Sequence, residues 1–138
     1  MMKNLVSKMN LISNPKGKII KFLDTSSKDY KGFGEVYFSF INKNNIKAWK
    51  INKKATSNLI VPIGKVLIVV YDLNENLVLK RVISSSYKVL IPKSYIYGFM
   101  GIGDNNLIVN FLNKKHSKNN AIKIKLSKFN FNWKKYKK

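Results

Sequence analysis

Short runs of β-branched and aromatic residues recur along this chain at roughly 8–12 residue spacing, and polar turn residues or proline and glycine separate them. That pattern constrains the fold more than any other feature. The strongest run is 65–72, Lys-Val-Leu-Ile-Val-Val-Tyr-Asp, which reads as a core strand. Further strands are expected at 18–23, after an Asn14-Pro15-Lys16-Gly17 turn, and at 34–41, 46–51, 58–62, 77–83, 87–91, 106–112 and 121–126. An Asn42-Lys43-Asn44-Asn45 turn follows the second of these. No segment holds a helical period over ten or more residues. The pattern predicts an all-β sandwich or barrel, and 138 residues fit a single domain.

Composition narrows the chemistry. The chain is 45% hydrophobic and 12% aromatic, enough to bury a core. It has no cysteine, which excludes disulfides, thiolate metal sites and cysteine nucleophiles. Its one histidine, His116, excludes a multi-histidine metal centre. No apolar run reaches the ~18 residues of a membrane span. The N-terminal segment lacks the apolar core of a signal peptide, so a cytoplasmic protein without membrane association is expected. The net charge of +21 comes from 26 lysines and Arg81 against six acids, and 18 asparagines accompany them. Lysine and asparagine together are what an AT-rich genome encodes by drift. The lysines are spread along the whole chain, so drift and a functional basic field both remain open.

Three stretches carry a family resemblance. The first is Gly32-Phe33-Gly34-Glu35-Val36-Tyr37-Phe38-Ser39. The second runs Ile46-Lys47-Ala48-Trp49-Lys50-Ile51-Asn52-Lys53-Lys54-Ala55-Thr56-Ser57-Asn58-Leu59, then Pro62-Ile63-Gly64-Lys65-Val66 and Tyr71-Asp72. The third is Ile91-Pro92-Lys93-Ser94-Tyr95-Ile96-Tyr97-Gly98-Phe99, followed by Gly101-Ile102-Gly103 and Asn110. In order and spacing the chain resembles the cupin-fold dTDP-4-dehydrorhamnose 3,5-epimerase family. The match is to its short branch, with a Trp-His-x-His segment and a Tyr-Asp-Trp-like tail, here Phe131-Asn132-Trp133. The resemblance implies a cupin-type jelly roll (double-stranded β-helix), one domain over 1–138 with a core at about 16–133 and a basic tail at 134–138. It further implies a homodimer, a nucleotide-diphosphate sugar as ligand, and no cofactor. The implied reaction removes a proton beside the ketone of a 4-keto-6-deoxy sugar and returns it on the other face, for cell-surface polysaccharide synthesis. Such chemistry needs a base, a group that stabilises the enolate oxygen, and an acid.

The chain departs from the family where the chemistry is. Lys50 falls on the histidine base and Asn52 on the second histidine. The positions of metal-binding cupins fall on Lys50, Asn52, Thr56 and Tyr97, which do not make a transition-metal site. The family's oxyanion lysine falls on Ser57, with Lys53 and Lys54 nearby. Lys50 and Tyr97 are the catalytic candidates. Lys50 is read as a base if burial and like-charged neighbours lower its pKa, or as an anion-binding or rim residue. Tyr97 is read as an acid or hydrogen-bond donor, or as a core aromatic. Glu35, Trp49, Asn52, Thr56 and His116 are substrate-binding candidates. Trp49 is equally read as core filling, Glu35 as a solvated strand residue and His116 as a loop histidine. Asp72 is expected to cap a turn or pair ionically, and Gly64 and Gly98 to serve tight turns or close backbone approach.

The functional expectation is an epimerase-like enzyme, metal-independent, acting on a nucleotide-linked 4-keto sugar. The alternative is a non-catalytic sugar-nucleotide binder that has lost its base. A nucleic-acid-binding barrel has the charge in its favour but has a single arginine and no RNA-binding signature. Aromatics at 34–41 suit a stacking platform or a core equally.

Overall fold

The computed structural model describes residues 4–115, 117 and 120–137. The elements run β1 (Val6–Lys8), β2 (Asn10–Asn14), β3 (Gly17–Lys21), β4 (Glu35–Asn42), β5 (Ile46–Asn52), β6 (Ser57–Ile63), β7 (Val66–Tyr71), β8 (Leu77–Ile83), β9 (Tyr87–Ile91), β10 (Ile96–Gly101), β11 (Asn105–Leu112) and β12 (Ala121–Lys123). Two 3-10 turns follow, Leu126–Lys128 and Trp133–Tyr136. One sheet has the order β1-β9-β6-β11-β4 and a second the order β12-β5-β10-β7-β8. From β4 to β7 and again from β8 to β12 each successive strand lies in the opposite sheet. This winding is the double-stranded β-helix of a cupin-type jelly roll.

The β7 run explains its own position. Its residues are buried on both faces: Val66, Ile68 and Val70 join the core between the sheets, while Leu67 and Val69 join a second cluster on the opposite face. A strand covered on both sides reads as a continuous apolar run and shows no alternation. The second cluster is closed by the chain after β12. Tyr71 stacks on Phe129 with ring centroids 3.9 Å apart, and Trp49 meets Phe129 at 5.2 Å and Trp133 at 5.3 Å.

Asn106 ties three loops together at one end. Its side-chain oxygen accepts from the Lys65 and Gly103 amides, and its Nδ2 donates to the carbonyls of Ile41 and Gly103. Gly64 sits beside it with φ +83°, and a Cβ there would run into the Asn105 carbonyl and the Asn106 side chain. Asp72 caps a turn: its Oδ1 accepts from the Asn74 and Asn76 amides, each at 2.9 Å.

Four expectations need correction. The strand read at 18–23 is β3, Gly17–Lys21, and it pairs with β2 to form a separate two-stranded sheet. β1, β2 and β10 go unread: the three to five residues of β1 and β2 carry too little period to register, and Gly98 and Gly101 break the pattern of β10. The strand read at 121–126 stops at Lys123, where Leu126–Lys128 turns so that its carbonyls face Trp49. The tail set outside the core at 134–138 joins it at Tyr136: a 3-10 turn runs from Trp133 to Tyr136, whose ring lies nearly parallel to Phe131.

The phase of β4 also differs from the simplest reading. Its aromatic side Val36, Phe38 and Phe40 faces outward, with Phe38 64% and Phe40 68% exposed. Tyr37, Ser39 and Ile41 face the interior. The pleat follows the register with β11, which places Tyr37 opposite Asn110 and Ser39 opposite Ile108.

Candidate functional site

Two inward rows of side chains, one from each sheet, meet in one pocket. In the second sheet, Lys123 of β12, Lys50 of β5, Tyr97 of β10 and Val70 of β7 lie directly opposite one another in register. In the first sheet, Asn110 of β11 stands between Leu59 of β6 and Tyr37 of β4. The cavity between them has a volume of about 520 Å³, and Tyr37, Lys50, Tyr97, Phe99, Ile108 and Asn110 are among its lining residues. Ser39, Lys47 and Lys123 also border it.

Two buried amides organise the two phenols. Asn52 Nδ2 donates to the Tyr97 hydroxyl oxygen at 3.1 Å. Asn110 Nδ2 donates to the Tyr37 hydroxyl oxygen at 3.0 Å, and the Ser57 hydroxyl donates to Asn110 Oδ1. Each phenol oxygen therefore accepts from an amide and keeps its own O–H to donate elsewhere. Burial pushes the Tyr97 hydroxyl well above the usual tyrosine value, and the nearby Tyr37 adds to the effect against the Asn52 bond. Burial raises Tyr37 as well, helped by the Glu35 carboxylate and opposed by the Asn110 bond. Both remain protonated donors at neutral pH.

Lys50 is half-buried, with its Nζ 6.0 Å from the centre of the Tyr37 ring. Burial lowers its pKa below the ordinary 10.5, and the Glu35 carboxylate partly offsets that. No salt bridge among the described residues involves Lys50. Lys47 is different: its Nζ is held by the Phe40 carbonyl at 2.7 Å and the Ser39 hydroxyl at 3.2 Å.

The remaining candidates distribute as follows. Asn52 is buried and works on Tyr97, so it positions a catalytic candidate and does not itself line the cavity. Trp49 has no exposed surface; it donates its indole N–H to the Leu126 carbonyl at 3.0 Å and fills the second cluster. It borders the cavity, but the stacking role read for it has no exposed ring face to use, because alternation along β5 points it to the face opposite Lys50. The register steps from Tyr97–Lys50 to Gly98–Ala48, leaving Trp49 as the extra residue. Gly98 makes room for it, since a Cβ there would come within 2.9 Å of the Trp49 ring. Thr56 donates its backbone N–H to the Asn113 side-chain oxygen and its carbonyl accepts from the Asn113 amide, outside the cavity lining. Glu35 acts on the pocket electrostatically, through Lys50 and Tyr37. His116 lies outside the described residues. Ser57, read at the oxyanion-lysine position, is spent on Asn110. Among the described residues no group of three or more His, Cys, Asp or Glu side chains is placed to hold a metal.

Sequence reasoning did not single out Tyr37, Ser39 or Lys123. The signal for the first two was present: with Phe38 and Phe40 facing out, alternation places Tyr37 and Ser39 inside. Lys123 had no such signal, because its place beside Lys50 depends on pairing across 73 residues.

A cupin jelly roll whose pocket sets an amine, two phenols and an amide among apolar walls is the class that fold and site define. Its structural neighbours are dTDP-sugar isomerases and epimerases, so the resemblance read from the sequence is borne out. The dTDP sugar isomerase of Desulfovibrio desulfuricans G20 superposes with a TM-score of 0.80 at 26% identity, over 94% of this chain and 89% of that one. The dTDP-4-dehydrorhamnose 3,5-epimerase of Elizabethkingia anophelis NUHP1 also gives 0.80, at 14% identity, over 97% and 85%. The dTDP-6-deoxy-D-glucose-3,5-epimerase of Legionella pneumophila Philadelphia 1, in complex with dTDP-4-keto-L-rhamnose, gives 0.75 at 14% identity, over 88% and 72%. No family model matches the chain, and no curated protein does. Among the described residues no helix is long and apolar enough to cross a membrane.

Proposed function

We propose that this protein is a metal-independent isomerase or epimerase acting on a dTDP-linked 4-keto-6-deoxy sugar, with Lys50 as the basic group and Tyr97 as the hydroxyl donor. One observation carries the reading: an amine and a phenol stand directly opposite in register inside the pocket of a fold whose neighbours handle dTDP sugars. A half-buried amine with a lowered pKa can act at a carbon beside a ketone, and a phenol held protonated can meet an oxygen or the opposite face. The positive field, +21 over the chain, favours entry of a nucleotide diphosphate. The setting is sugar activation for a surface polysaccharide, in the cytoplasm.

The working unit in this reading is a homodimer. The β2–β3 hairpin stands apart from both large sheets with Leu11 53% and Ile19 59% exposed, and an isolated hairpin is marginal in water. β4 ends its sheet with one free edge and the exposed Phe38 and Phe40. An apolar arm and an apolar edge on one chain are reciprocal in a two-fold dimer. Light scattering on the purified chain reads the outcome: a dimer that Phe38→Lys with Phe40→Lys converts to monomer supports it, and a wild-type monomer overturns it.

Ligand binding is tested by thermal unfolding with dTDP and with a dTDP-4-keto-6-deoxy sugar. A ligand at about a hundredfold excess over Kd stabilises by ~2.7 kcal/mol, several degrees in Tm. No shift with either ligand would overturn the assignment of the pocket. Binding of both without turnover would favour the second reading, a sugar-nucleotide binder, to which the lysine and asparagine at the histidine positions point.

A further inference from the structure

The pocket holds a primary amine where its relatives' chemistry is read to need an imidazole, and an amine can do what an imidazole base does not: condense with a ketone and lose water. We propose that Lys50 captures its ligand covalently, as a reversible imine between its Nζ and the ketone carbon of the bound sugar. The inference deepens the reading above and rests on it, because it requires a ketone in this pocket, and it changes one role: once condensed, the Lys50 nitrogen draws electrons from the flanking carbons and the proton leaving carbon goes to a group other than Lys50.

The placement supports it. Lys50 projects from the inner face of β5, half-buried, against the Tyr37 ring and opposite Tyr97. Of the two other lysines bordering the cavity, Lys47 is engaged by the Phe40 carbonyl and Ser39, and Lys123 is exposed on the short strand β12. The aromatic and apolar walls, Tyr37, Phe99 and Ile108, thin the water around the nitrogen. Desolvation of that kind raises the share of free amine, as the lowered Lys50 pKa indicates. The position read for the lysine that would stabilise an enolate oxygen is held by Ser57, which is bonded to Asn110. An imine removes the need for that lysine. Its protonated nitrogen carries positive charge on the carbon where the enolate oxygen would otherwise sit, and draws electrons from both flanking carbons.

The step balances with groups already present. The Lys50 ammonium releases a proton and its lone pair attacks the ketone carbon, forming the C–N bond. The carbonyl oxygen takes the electron pair of the broken π bond and a proton from the Tyr97 hydroxyl. The nitrogen gives up a proton, which returns to the Tyr97 oxygen. The resulting hydroxyl takes up the proton that the ammonium first released to water and leaves as water while the nitrogen lone pair forms the C=N bond. In sum, an ammonium and a ketone give a protonated imine and one water, and hydrolysis reverses it. No oxidant or reductant takes part.

The test is reductive trapping. The full chain is incubated with dTDP-4-keto-6-deoxyglucose and cyanoborohydride, then read by intact mass and peptide mapping. The expected result is one adduct per chain, with the mass of the ligand less one oxygen, on the peptide containing Lys50. It should be suppressed by excess dTDP and absent from Lys50→Arg. Lys50→Arg must still be stabilised by dTDP, which shows that the pocket is intact. Stabilisation by dTDP with no adduct on Lys50, or with adducts scattered evenly over the lysines, overturns the imine and leaves the sugar-nucleotide reading standing. No stabilisation of wild type by either ligand, and no adduct, overturns both.

Discussion

The Asn52 side chain holds the Tyr97 hydroxyl oxygen at 3.1 Å, and both residues are buried on neighbouring strands of one sheet. The bond leaves the Tyr97 proton free to be donated into the pocket and fixes where it points. Tyr97→Phe should therefore act twice. It leaves the Asn52 amide buried without its acceptor, at about 1–3 kcal/mol, read by urea denaturation. It also removes the donor, and turnover should fall by about 10²-fold or more with dTDP affinity retained. Unchanged turnover in a folded Tyr97→Phe protein would remove Tyr97 from the mechanism.

The pH dependence follows from two opposed shifts. Lys50 is lowered by burial and Tyr97 is raised by burial. The active form needs free amine and protonated phenol, so turnover should rise with pH through a Lys50 value below 10.5 and hold while Tyr97 keeps its proton. Stability follows with its sign. The unfolded chain binds the Lys50 proton more tightly than the folded one, so charging Lys50 penalises the fold below its folded pKa. The penalty is relieved as pH rises from that value toward 10.5. Lys50→Met should thus be at least as stable as wild type at neutral pH, with the difference shrinking toward alkaline pH. A Lys50→Met protein equally destabilised at every pH would contradict this.

Trp49 is a structural residue in this account. Its ring meets Tyr71, Phe129, Phe131 and Trp133, and its indole N–H is bonded to Leu126. Trp49→Ala should cost ~3–5 kcal/mol of stability and loosen the segment after β12. Hydrogen exchange localised to 124–136 is the readout, and a stable variant with unaltered exchange there would be inconsistent with the packing.

Asn106→Ala should be among the most damaging polar substitutions. It removes four bonds to backbone groups of three separate loops. Leaving such groups unsatisfied costs about 1–3 kcal/mol each where water cannot replace the partner. A loss under about 1 kcal/mol in denaturant unfolding would mean that water enters and substitutes.

Sequence reasoning reached most of the strands and the all-β class because both depend on local period and turn residues, while the jelly roll came from the family resemblance. It placed Lys50 on a strand, but the strand that carries Tyr97, β10, went unread because Gly98 and Gly101 interrupt its pattern. What it could not reach depends on pairings far apart in the chain. Phe38 and Phe40 look like core residues until β11 sets the pleat of β4 and turns Tyr37 inward. Trp49 is a different case: alternation along β5 already points it to the face opposite Lys50, and only the bulge opposite Gly98, which gives it room, depends on distant pairing. The bonds from Asn52 to Tyr97 and from Asn110 to Tyr37 join residues 45 and 73 positions apart, and no spacing rule announces them. The β2–β3 arm was half-read because an exposed hairpin of Asn, Ser and Lys looks like a loop.

The central claim is that this pocket moves a proton beside a ketone through Lys50. Proton NMR of dTDP-4-keto-6-deoxyglucose in deuterated water, with the purified protein, tests it most directly. The account predicts loss of the signal at one or both carbons flanking the ketone, and no loss with Lys50→Met at saturating ligand. Undiminished signals with the wild-type protein, or equal loss with Lys50→Met, would contradict it.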